Sequence, residues 1–379
     1  MPKISRREFS GVVLGATGAL VAGDLSAAGQ VGKKRAITPR KLTGSITDVP
    51  GIKVGHYTDP RRPTGCTVLL FGEKGAACGV DYDGSAPGTY QVALLQPVSF
   101  IQEVWGIVLS GGSSFGLASV PGAVRYLEEQ KIGLHFGIGL VPIVVGAIIY
   151  DLGVGDPTIR PDAESAYKAC LAATDHATEQ GNIGAGAGAT VGKMLYQQGM
   201  KGMKAGVGMA SMQVDDVIIS ALMVVNAVGN IVDWRTGNVI AGARTKDGKG
   251  LASIPDVLRS NPPRSGMRAA IIPEDPVMHA TTIGVVATNA EFNKTEMTKI
   301  AMMANCGAAR CINPYHTPGD GDTLFGVSTR QVKSDLSLSV VGTLAAEVVS
   351  EAIIQSAKMA TSIPDWPAYR DYTAKLQGK

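Results

Sequence analysis

His279-Ala280-Thr281-Thr282-Ile283-Gly284-Val285-Val286-Ala287-Thr288-Asn289-Ala290 is a short apolar, β-branched run with two threonines at its mouth. Its length and Ile/Val content predict a buried strand over 282–287, in which threonines are ordinary residues. Upstream, residues 243–269 are polar, proline-bearing and without period, and they end near Pro273-Glu274-Asp275. An irregular stretch of about thirty residues running straight into a buried strand is unusual inside one domain. A processing site at its end accounts for it, because a severed loop no longer has to connect anything. Downstream the pattern predicts helices over 293–305 and 341–359, the first opened by Asn293 and Glu296 as a capping box. Between them lies Pro318-Gly319-Asp320-Gly321-Asp322-Thr323, two carboxylates in a glycine turn.

Working outward, Gly65 to Val80 reads as a hairpin around Gly-Glu-Lys-Gly, and 104–109 as a short buried strand. A helix runs to about Gln130 from Ser110-Gly111-Gly112-Ser113-Ser114-Phe115, and 141–150 is a central strand. Residues 162–180 have helical spacing; 203–212 and 217–226 read as strands. Strands and helices mix throughout, so the class is α/β or α+β, built in layers. Forty-eight glycines, well above the usual level of roughly 7 %, suit close backbone approaches.

The formal charge of +3 is carried by the leader. Residues 1–41 hold eight Lys/Arg against two Asp/Glu, a net +6, which leaves −3 for the rest. Such a body excludes nucleic acid as a partner. Ser5-Arg6-Arg7-Glu8-Phe9, the mild apolar run Gly11 to Gly23 and Ser26-Ala27-Ala28 form a twin-arginine export pattern over 1–28, followed by a basic leader over 29–44. The expected location is therefore periplasmic or secreted, with no stable membrane anchoring. Of five cysteines, only Cys306 and Cys311 lie close enough in sequence to suggest a pair.

Several motifs fail on inspection. Gly184 to Met194 lacks the first Walker glycine, at Ala187, and the magnesium-holding hydroxyl, at Met194; the dinucleotide pattern breaks at Ala189. No cofactor is expected. The five histidines form no HxH or HExxH pair, so no metal site is expected and each histidine reads as a surface or core residue. Asp320 and Asp322 lack the remaining ligands of a calcium loop. There is no GxSxG elbow.

Six short stretches carry a resemblance: Thr64-Gly-Cys-Thr-Val-Leu-Leu-Phe, Ala86-Pro-Gly-Thr, Leu109-Ser-Gly-Gly-Ser-Ser-Phe-Gly-Leu, Val224-Val-Asn-Ala, Thr282-Ile-Gly-Val-Val-Ala-Thr-Asn and Gly319-Asp-Gly-Asp-Thr. In this order and spacing, over about residues 44–362, the chain resembles the self-processing S58 aminopeptidases of N-terminal-nucleophile type. These include D-alanyl esterase/amidases, β-peptidyl aminopeptidases and 6-aminohexanoate (nylon) oligomer endohydrolases, and Asp-Gly-Asp is the pattern of the nylon branch.

The resemblance implies a four-layer α/β/β/α sandwich, like that of ornithine acetyltransferases. It also implies self-cleavage between Ala280 and Thr281 into a large chain (45–280 of the domain, about 29–280 after export) and a small chain, 281–379. Thr281 would then be the nucleophile, with Asp320 and Asp322 orienting it. Asn226 and Tyr150 would hold an oxyanion, and Lys193 the carboxylates. Ala280 departs from the Asn or Gly usual before the cut. The implied substrates are linear amides with a free amine, such as short peptides, β-peptides and 6-aminohexanoate oligomers; the implied assembly is a homo-oligomer, a tetramer of processed pairs. Acyl transfer and an unprocessed secreted binding protein are the competing readings.

Overall fold

In the computed structural model the described residues are 42–262 and 279–376. The export signal, most of the basic leader and the end of the irregular stretch lie outside them.

Eleven strands form two sheets. In chain order they are β1 (Lys53–Thr58), β2 (Gly65–Leu70), β3 (Ala76–Asp81), β4 (Thr89–Tyr90), β5 (Glu103–Val104), β6 (Gly106–Ser110), β7 (Val144–Ile148), β8 (Val207–Val214), β9 (Val217–Asn226), β10 (Thr281–Ala290) and β11 (Thr323–Val332). One sheet has the order β1-β2-β6-β7-β4, the other β8-β9-β10-β11-β3-β5. Each contains one parallel pair, β6 with β7 and β10 with β11. Parallel neighbours need a crossover, and helices supply it: α1 (Val120–Glu129) lies between β6 and β7, and α3 (Lys294–Cys311) between β10 and β11. Helix α2 (Ala163–Leu171) packs with α1 on the first sheet, and α4 (Leu338–Lys358) with α3 on the second.

The period of two explains the layering. Ile283, Val285 and Ala287 of β10 join Leu222, Val224, Phe325 and Val327 in a cluster shared with Val68, Ile107 and Val145 of the other sheet. Val286 and Ala290 point the opposite way, with Ala221, Met223 and Val225, onto Ile300, Ala304, Val349 and Ile353 of α3 and α4. Each buried Val, Leu, Ile, Phe or Met among them contributes about 1.5–3 kcal/mol. The helices touch closely at Gly307, where a Cβ would lie 2.0 Å from the Ala346 carbonyl oxygen. Helix α4 is long and apolar enough to span a membrane, but it lies in this core. The result is an α/β/β/α sandwich.

Four expectations need correction. The stretch read as irregular from residue 243 carries a short helix, Ile254–Ser260, whose Ile254 packs with Leu195, Ala243 and Ala252. Gly65 to Val80 is not a hairpin: β2 pairs with β1 and β6, whereas β3 pairs with β11 and β5. The glycine turn therefore carries the chain from one sheet to the other. Helix α2 stops at Leu171, because Thr174 pairs with Val54 beside β1. Cys306 and Cys311 are not paired. Both lie on α3, which runs past Asn305, and a spacing of five turns one outward and the other into the core.

Candidate active site

Thr281 is the first residue of β10, and the antiparallel register sets it opposite Asn226, the last residue of β9. On the other flank Ala280 bridges Asp320, just before β11 begins. One end of the central strand thus gathers an amide from one neighbour and two carboxylates from the other. Thr281, Asn226, Lys193, Asp320 and Asp322 are all buried.

The Thr281 hydroxyl donates to the Ala280 carbonyl at 2.5 Å. The next amide, Thr282 N–H, donates to Asp322 Oδ1 at 2.6 Å. Asp320 Oδ2 accepts from Thr317 N–H at 2.9 Å, while its Oδ1 and the Thr282 hydroxyl find no partner among the described residues. Lys193 Nζ donates to Asn226 Oδ1 at 2.8 Å and to the His279 carbonyl at 3.1 Å. Asn226 Oδ1 also accepts from Thr190 N–H at 3.0 Å, and its Nδ2 donates to the Tyr150 carbonyl at 2.8 Å. Lys193 is delivered by Gly192, at φ +74°, where a Cβ would meet Ala243 N at 2.1 Å. Only glycine fits that approach.

Burial, and then the neighbouring Asp322, push the Asp320 carboxyl up to about 6; the Thr317 hydrogen bonds and the Lys193 charge pull the other way. Burial pulls the Lys193 ammonium down to about 7, against the raising charges of Asp320 and Asp151. An acid and an amine both poised near neutrality at one strand end form an arrangement able to hold or move a proton at ordinary pH. Among the described residues no group of His, Cys, Asp or Glu side chains could hold a metal ion.

The sequence model of peptidase family S58 matches residues 44–366. The chain belongs to peptidase family S58. It is 36 % identical over 356 residues to an uncharacterized aminopeptidase of Mycobacterium leprae, covering 86 % of this chain and 93 % of that one. Identity to the 6-aminohexanoate-oligomer endohydrolase of a Kocuria species is 30 % over 338 residues, covering 85 % and 89 %. The fold matches that of the L-aminopeptidase D-Ala-esterase/amidase of Ochrobactrum anthropi, described as a variant of the Ntn-hydrolase fold, with a TM-score of 0.61 at 17 % identity, covering 88 % and 93 %. As an S58 member the chain is a hydrolase acting on amide bonds.

In this S58 chain all six residues singled out from the sequence lie on segments that meet at the mouth of β10, but two make contacts other than those expected. Lys193 bonds the Asn226 amide and a main-chain carbonyl instead of the carboxylates, of which it feels Asp320 through its charge. Tyr150 meets Asn226 through its backbone carbonyl, and its ring lies against His279, centroids 4.9 Å apart. Sequence reasoning missed two further features. Asp151, next to Tyr150, forms a fully buried pair with Arg62 at 2.7 Å and also accepts from the Thr64 hydroxyl and Gly112 N–H. His316 reaches Asp322 Oδ2 with both its ring and its backbone N–H. The only signal in the sequence was proximity, one residue from Tyr150 and four from Asp320.

Proposed function

We propose that this S58 chain is an exported, self-cleaving N-terminal-threonine hydrolase of linear amides that carry a free amine. The observation that carries the reading is the geometry at position 281: a buried hydroxyl 2.5 Å from the carbonyl oxygen of residue 280, between Asn226 and the Asp320–Asp322 pair. In the first stage Thr281 Oγ attacks the Ala280 carbonyl carbon. The C–N bond breaks as the ester forms, and water opens the ester to leave an Ala280 carboxylate and a free Thr281 amine. That amine, of reference pKa roughly 7.7–8.0, then takes the hydroxyl proton as Oγ attacks a substrate amide. The leaving amine departs with a proton, and water releases the acyl group. Asp320 and Asp322 orient the amine and the hydroxyl. The second N–H of Asn226 and the Tyr150 hydroxyl serve the oxyanion, and Lys193 fixes the Asn226 amide from behind.

Support for the substrate class comes from the relatives, one of them a 6-aminohexanoate-oligomer endohydrolase, so short peptides, β-peptides and such oligomers are the substrates to try. The twin-arginine pattern supports export to the periplasm, with processed chains 29–280 and 281–379 assembling as a tetramer of pairs. At 39.2 kDa for 379 residues, these chains run at about 26 and 10 kDa. Purified protein is expected to give both masses, with Thr281 at the start of the smaller. Thr281→Ala is expected to give one uncut, inactive chain. A Thr281→Ala protein that still hydrolyses amides overturns the proposal.

A further inference from the structure

Asp322 does not stand alone in the site. Its Oδ1 holds Thr282 N–H, the amide next to Thr281, at 2.6 Å. Its Oδ2 receives His316 N–H at 3.3 Å and lies 3.2 Å from His316 Nδ1. Behind the imidazole, Asn305 Nδ2 lies 3.3 Å from His316 Nε2 and 2.9 Å from Asp81 Oδ2, and the Tyr315 hydroxyl donates to Asn305 Oδ1 at 2.9 Å. The Tyr315 and His316 rings stack, centroids 3.9 Å apart. One proton arrangement satisfies every member. The two N–H groups of Asn305 go to Asp81 and to Nε2, which leaves the ring proton on Nδ1, facing Asp322. His316 holds this pose at φ +54°, a left-handed backbone conformation in which, glycine aside, Asn, Asp and His are the enriched residues.

We propose that His316 is a positioning residue for the amide-cleaving site: it grips one oxygen of Asp322 and so aims the other at the backbone beside Thr281. The inference rests on the function proposed above. It assigns a role to a side chain that no metal or triad motif marked. A carboxylate held from both sides cannot swing away when the peptide bond before Thr281 opens, so the amine and hydroxyl of Thr281 keep a fixed reference. Asn305, at the third remove, sets which ring nitrogen carries the proton, as outer partners of functional histidines commonly do.

Two variants separate the hydrogen bond from the backbone. His316→Gly removes the ring and suits the positive φ. His316→Asn also suits it and keeps a neutral donor near the Nδ1 position. Self-processing and amide hydrolysis are followed by mass and by kcat and KM, with thermal melts to verify folding. His316→Gly is expected to lose about tenfold or more in kcat, the scale of one hydrogen bond to a charged group, with KM little changed. His316→Asn is expected to stay within about threefold of wild type on the same scale. Wild-type kcat and KM in folded His316→Gly would overturn the assignment. So would a His316→Asn protein that folds yet loses more than tenfold, a result readable even if the glycine variant misfolds. Absence of amide hydrolysis in the wild type would instead sink the parent proposal.

Discussion

Asp320→Asn should make the uncut chain more stable while abolishing its chemistry. The Asp320 carboxyl is buried, with one oxygen unpartnered among the described residues, and its pKa rises from 3.8 to about 6 through burial and then Asp322. Two pKa units correspond to about 3 kcal/mol of differential interaction. Because the folded-state pKa lies above the unfolded one, the stability linked to this group is fully present below pH about 4 and is lost as pH rises through about 6. Asparagine stands in for the protonated acid at every pH, so it escapes that loss. Unfolding entropy of about 2.1 cal/mol/K per residue over roughly 340 residues turns 3 kcal/mol into a rise of about 4 °C. The comparison belongs in a Thr281→Ala background, where both proteins are single chains and no freed ammonium neutralises Asp320. Melts of Thr281→Ala and Thr281→Ala/Asp320→Asn should differ by about that much at pH 7.5 and coincide near pH 4. Equal melting at pH 7.5, or a difference that does not shrink on acidification, would refute the electrostatic reasoning.

Lys193→Met should keep the fold, since it replaces a buried ammonium with an apolar chain of similar volume, yet cost on the order of 10²-fold in kcat by leaving Asn226 without its charged donor. Steady-state kinetics beside urea midpoints test both halves. Asp151→Asn should destabilise by about 3–5 kcal/mol, because it strands the buried Arg62 guanidinium; a denaturation midpoint that stays at the wild-type value would contradict this.

What the sequence discloses here is what local chemistry decides. The capping box of α3 forms as read, Asn293 and Glu296 each closing on the other's backbone, because its parts lie within four residues. The strand expected over 282–287 is real but longer, Thr281 to Ala290. Its polar ends are held by ladder partners, Asn226 at one end and Ile219, opposite Thr288, near the other, which no window centred on the strand contains. The same limit explains the false hairpin: two adjacent strands fully buried along their length carry no local mark of whether they pair with each other or part into different sheets. Thr281, Asp320 and Asp322 were legible through a family likeness. His316 was not, since only the folded turn brings its ring back to Asp322.

The position of the proposed cut matters more than its occurrence. Strand β10 is held to β9 by eight register pairs, from Ile219 with Thr288 to Asn226 with Thr281, and β11 is held to β3 on the far side. A chain beginning at Thr281 would therefore keep two central strands and both helices of one layer locked in place, and could not leave without opening the sheet. The new α-amine would emerge where Ala280 now bridges Asp320, beside a carboxylate that burial pushes up to about 6 in the uncut chain. A positive charge there would offset the burial that raises Asp320, so the uncut chain carries a local electrostatic penalty that cleavage would relieve. Such a cleavage would be favoured by the site it creates, and the carboxylate that destabilises the single chain would become the anchor of the nucleophile in the paired one.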